Sequence, residues 1–197
     1  MGRDAQPEKL WRYSGLARLW SWSLIATAGV LLALSVGLQA GSDEGLTARW
    51  IGVALGVTGA TGVVCLPFLR VWLRRSALPS VRLPAARKAS GPRRLEASPA
   101  DWRRWAAVTM AVLLVGGAAM LTFLVGVLGR GGTAEGVVVG LLAAWGLATL
   151  EDARRIEQTE AREGRRYYAA CRRPTGVGHH LVWIAARGAR PAGAPRA

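Results

Sequence analysis

The chain has 197 residues, 51% of them hydrophobic, with 25 Gly and a formal charge of +14. A basic excess of this size goes with solubility or nucleic acid, but the apolar residues here lie in long uncharged blocks. Little remains outside those blocks to bury, which excludes a water-facing domain larger than a few short elements.

Of the 26 basic residues only Lys9 and Lys88 are Lys, and Asn is absent. A very GC-rich, actinobacterial-type genome produces that bias without any functional demand. Cys65 falls inside an apolar block and Cys171 in a basic tail, so the two neither pair nor form a zinc-ribbon spacing.

Residues 1–18 form a basic amino-terminal segment. Between Arg18 and Asp43 lie 24 uncharged residues, predicting a helix over about 19–40. The run resembles a signal peptide ending at Leu38-Gln39-Ala40, with cleavage before Gly41. It is longer than a typical apolar signal region and Leu38 is large for the cleavage motif, so the segment reads as a retained helix. Between Arg49 and Arg70 lie 20 uncharged residues, predicting a helix over about 50–73 with a kink at Pro67.

The segment 74–101 is rich in Pro, Ser and Arg and reads as an extended cytoplasmic loop without a core. Ser98-Pro99 at its end has the form of a helix cap followed by Pro in the first turn. Between Arg104 and Arg130 lie 25 uncharged residues, predicting a helix over about 103–128. The last block, Gly136 to Leu150, has only 15 uncharged residues. At the rise of an α-helix that covers about 22 Å, short of a bilayer core of about 30 Å. Extended back to Thr133 it predicts a helix over 133–150 with Glu135 at the membrane edge.

Charge orients the blocks. The loop from Arg74 to Arg104 carries nine basic residues, the tail 151–197 carries ten Arg, and the two other connections carry one Arg each. Basic segments stay cytoplasmic, so the fourth block must cross to keep its tail inside. The predicted fold is an all-α polytopic membrane protein, four transmembrane helices over 19–150 arranged as two hairpins, both termini cytoplasmic. Trp20, Trp22, Trp72, Trp102 and Trp105 at inner ends and Trp50 at an outer end fit the interfacial preference of indole.

Within lipid, helices associate through small residues that let backbones approach. Gly52, Gly56 and Gly59 make one such strip, and Gly136, Gly140 and Ala144 another. The bland expectation is packing inside the bundle, the sharper one self-association or a membrane-protein partner. Beyond Leu150 the run to Gly164 reads as a polar helix continuing the fourth block, a solvated stalk with Glu151 and Arg155 paired across one turn. Leu181 to Ala186 is an apolar patch suited to the lipid interface. Arg74, Arg75, Arg93, Arg94, Arg165, Arg166, Arg172 and Arg173 are the candidate contacts to the anionic inner leaflet. Nucleic acid is the disfavoured alternative, since no reader motif accompanies the charge.

The first three blocks contain no Asp, Glu, His or Lys, which disfavours ion-coupled transport and intramembrane catalysis. Adjacent His179 and His180 with Cys171 make a poor metal set, because neighbouring side chains diverge. No catalytic residue, cofactor or metal is expected. The expectation is a non-enzymatic accessory or scaffolding subunit in the plasma membrane of a GC-rich bacterium. The alternatives are a pore for a neutral solute, lined by Ser35, Thr58, Thr61, Thr109 and Thr122, and a membrane component of a DNA-transfer apparatus.

Overall fold

The computed structural model describes residues 9–41, 47–76, 83–84, 86–88, 95–129, 131–171 and 180–185. Four long helices dominate it: α1 (Tyr13–Ala40), α2 (Ala48–Ser76), α3 (Pro99–Leu128) and α4 (Thr133–Glu163). All four are long and apolar enough to cross a membrane. The short fourth block is therefore part of a 31-residue helix, about 46 Å long at the standard rise. Helix α3 starts where the sequence places a cap. The Ser98 hydroxyl accepts from the Asp101 N–H, Asp101 accepts from the Ser98 N–H, and Pro99 follows in the first turn.

Helix α4 is the centre of the bundle. It runs antiparallel to α1 and parallel to α2, as the cross-contacts Ser21–Thr149, Gly136–Val57 and Gly140–Thr61 define. Chain neighbours α1 and α2 are not the main packing pair; each packs chiefly against α4. The small residues of α4 explain the preference, since they let two helices approach it from opposite sides. Toward α1, the buried residues Val139, Gly146, Thr149, Ala153 and Ile156 follow a three-then-four spacing. They meet Ser14, Ala17, Ser21, Leu24 and Leu31, buried at the same spacing on α1.

At the Tyr13/Glu163 end, short strands from distant parts of the chain join in one sheet. They are β1 (Lys9–Arg12), β2 (Arg87–Lys88), β3 (Leu95–Glu96), β4 (Arg165–Cys171) and β5 (His180–Ala185). The order is β2-β5-β4-β1-β3, with β4 antiparallel to both β1 and β5. The amino-terminal segment, the long loop and the tail thus meet at one end of the bundle.

This sheet corrects three expectations. The 151–163 helix is not a solvated stalk: Ala153 and Ile156 are fully buried against Trp11, Tyr13, Tyr167, Ala169 and Leu181. The loop and tail do contribute a core, because residues too few in each segment suffice when four segments pool them. The apolar patch after His180 is a strand, with Leu181 and Val182 buried in protein rather than at lipid.

Candidate functional site

The chemistry available to this chain lies in its helix surfaces and at the end of the bundle that carries the sheet. On α4, a methyl group added at Gly136 would stand 2.7 Å from Val57 Cβ and 2.8 Å from the Ala54 carbonyl oxygen. At Gly140 it would stand 2.7 Å from the Thr58 carbonyl oxygen and 2.9 Å from Thr61 Cβ. Backbone atoms cannot swing aside, so only glycine fits this approach of α4 to α2. Ala144 is buried one turn further along, beside Leu69 and Ala148.

Two further glycines extend these contacts. Gly132, with φ of 83°, brings the α3–α4 turn to 2.9 Å from the Trp50 carbonyl oxygen, measured from an added methyl. Gly146 meets Ile25 and the Ser21 carbonyl on α1. Gly132 continues the four-residue row of Gly136 and Gly140, which is the signal that finds it, whereas Gly146 lies off that row, on the side of α4 that meets α1.

The strip on α2 is placed differently. Among the described residues, nothing beyond their own helix lies within 4 Å of a methyl added at Gly52, Gly56 or Gly59. At 3.6 residues per turn they fall on the side of α2 opposite Ala54, Thr58 and Thr61, which face α4. Val63, 74% exposed, continues that outer face. So α2 carries two small-residue faces, one filled by α4 and one open.

Along the α1–α4 seam the Ser21 and Thr149 hydroxyls meet at 2.9 Å, each also within reach of a carbonyl of its own helix. Glu135 is buried in the first turn of α4, and its Oε2 has no hydrogen-bond partner among the described residues. The hydroxyls considered for a pore lie on separate surfaces. Thr58 bonds the Ala54 carbonyl on its own helix and Thr61 faces Gly140. Thr109 is buried on α3, whereas Thr122 is exposed.

Ion pairs gather toward the sheet end of the bundle. Glu151 takes Arg70 of α2 at 2.9 Å and, as its spacing predicts, Arg155 at 2.8 Å. Glu157 takes Arg18 of α1 at 2.6 Å, and Lys9 of β1 pairs with Asp101 of α3 at 2.6 Å. Buried Glu160 accepts from the Tyr167 N–H at 2.9 Å and from Arg12 at 3.2 Å, tying α4 to both β4 and β1. Tyr167 itself donates to Glu163 at 2.5 Å. Burial, and then that carboxylate, push the Tyr167 phenol up to about 12. Burial and the Glu96 carboxylate raise Tyr168 in the same way.

Of the candidate basic contacts, Arg165 and Arg166 are exposed on β4. The Arg165 guanidinium lies 4.3 Å from the Trp183 ring centroid and 3.7 Å from Glu163. Arg74 and Arg75 stand in the last turns of α2, with side chains outside the described residues, as are Arg93, Arg94, Arg172 and Arg173 entirely. Among the described residues no group of three His, Cys, Asp or Glu could hold a metal. His179 and the side chains of His180 and Cys171 lie outside them.

Comparison with known proteins finds no matching family model, no matching characterised protein and no matching solved structure.

Proposed function

We propose that this protein is a non-enzymatic accessory or scaffolding subunit of a bacterial plasma membrane. It crosses four times, keeps both termini and the long loop in the cytoplasm, and assembles with a membrane-protein partner or a second copy through α2. The observation that carries this reading is the open glycine face of Gly52, Gly56 and Gly59. A helix that already uses one small-residue face against α4 keeps a second one empty, where lipid gains nothing from the missing side chains. At the inner end, exposed Arg103 and Arg104 near the start of α3 are turned to the anionic leaflet, and exposed Arg165 and Arg166, beyond the end of α4, to the cytoplasm.

Affinity capture from membranes in a mild detergent tests the proposal. The wild-type chain recovers a stoichiometric membrane partner or itself, and Gly56→Leu loses it without losing the fold. A strictly monomeric, partnerless wild-type protein would overturn the assignment.

A further inference from the structure

Trp183 on β5 is the register partner of Tyr167 on β4 and of Lys88 on β2. Side chains alternate along a strand, so Arg165, two residues before Tyr167, shares their face. Two cations converge on the one indole: Arg165 at 4.3 Å and Lys88 at 5.9 Å from the ring centroid. Among the described residues the acid paired with Arg165 is Glu163, whose Oε2 lies 3.7 Å away and also accepts the Tyr167 phenol at 2.5 Å. At 3.7 Å, with both side chains largely exposed, that pair only partly offsets the guanidinium charge. Lys88 has no ion pair among the described residues. Stacking on an indole fixes the guanidinium plane; Arg165 spends donors on Glu163 and the Tyr167 phenol, and the rest of its five N–H groups are left to meet a phosphate.

We propose that Arg165, Lys88 and Trp183 form a binding site for the phosphate group of a water-borne ligand. The inference rests on the basic inner face proposed above and assigns that face a specific pocket of charge. A headgroup of the same bilayer is the less favoured source. Helix α4 continues from Leu150 to Glu163 before the sheet begins, which is about 20 Å at the helical rise. The headgroup layer extends only about 5–7 Å beyond the hydrocarbon on each side.

The test uses the full chain in phosphatidylcholine nanodiscs, titrated with inorganic pyrophosphate at fixed ionic strength. Calorimetry reads binding, and the tryptophan signal missing from Trp183→Phe locates it. Saturable binding is expected, weakened about tenfold by Arg165→Lys, which keeps charge but loses the fork, and about threefold or more by Lys88→Gln. The double variant Arg103→Gln/Arg104→Gln, exposed cations away from the sheet, stays within about twofold of wild type if diffuse charge is not the cause. An equal loss in that control would leave the basic-face reading intact and overturn the site. Competition by phosphatidylglycerol built into the nanodisc would assign the site to lipid, and binding of a single-stranded oligonucleotide without pyrophosphate would assign it to nucleic acid. Either result overturns the proposal.

Discussion

Helices α2 and α4 invert the order that hydropathy assigns them. By sequence α2 is an ordinary apolar span, whereas α4 has the shortest uncharged block and carries Glu135, Thr149 and a row of small residues. Yet 56% of the most apolar stretch of α4 is buried inside the protein, against 6% for α2. The difference teaches what hydropathy measures in a small bundle. A helix facing lipid must be apolar around its circumference, but a helix surrounded by other helices needs small volume and satisfied hydroxyls more than greasiness. The weakest candidate span by sequence is therefore the one around which the others assemble.

Truncating the buried side of α4 sharpens this contrast most. Ile156 is fully buried between α4, α1 and the sheet, so Ile156→Ala should cost about 2–4 kcal/mol in unfolding of the detergent-solubilised protein. Val63→Ala on the outer face of α2 should stay within about 0.5 kcal/mol. A comparable loss at Val63 would mean that α2 is covered within the monomer.

The glycine strips give the next effect. Gly140→Leu drives a side chain into the Thr58 carbonyl and should destabilise the fold by about 1–3 kcal/mol or more. Gly56→Leu, with open space around it, should leave the melting temperature near wild type and abolish capture of the partner. Equal melting temperatures for the two variants would break the distinction between a filled and an open face.

At the sheet end, Glu160→Ala leaves the buried Tyr167 N–H without its acceptor and should cost about 1–3 kcal/mol. Glu157→Ala, which removes an exposed pair with Arg18, should cost under about 1 kcal/mol. Thermal melts of the two single variants, run side by side, check the order.

The smallest effect is one of pH. The Tyr167 phenol sits at about 12, above the ordinary value of 10.0. A group raised on folding contributes stability that is complete below its unfolded value and lost as pH climbs through the folded one. Absorbance titration of tyrosinate should show a component near 12 that Tyr167→Phe removes. Because Tyr168 is raised as well, the comparison is made in a Tyr168→Phe background, where a component near 12 that survives Tyr167→Phe would contradict the assignment.

Much of this architecture was legible in the residues. Charge spacing marked all four helices, and Ser98-Pro99 marked the start of α3. The sheet was not legible, for a physical reason. Its strands are two to seven residues long, and each is too short to show a period or bury a face alone. Only pairing across the chain, Lys9 with Cys171 or Arg87 with Val182, makes them a unit, and such register is not encoded locally. Trp11 and Tyr13 belong to that unit, where Trp11 meets Trp102 edge-on at 4.9 Å. For the glycine strips, spacing identified both but could not say which was filled. Gly52–Gly56 and Gly136–Gly140 have the same period, and the outcome depended on which face each helix turned to its neighbour.

Photo-crosslinking in native membranes tests the open face most directly, with benzoylphenylalanine at Val63 on α2 and, as a control, at Val115 on α3, 74% and 72% exposed respectively. The account predicts a discrete protein adduct from Val63 and lipid adducts alone from Val115. Lipid adducts alone from both positions would contradict it.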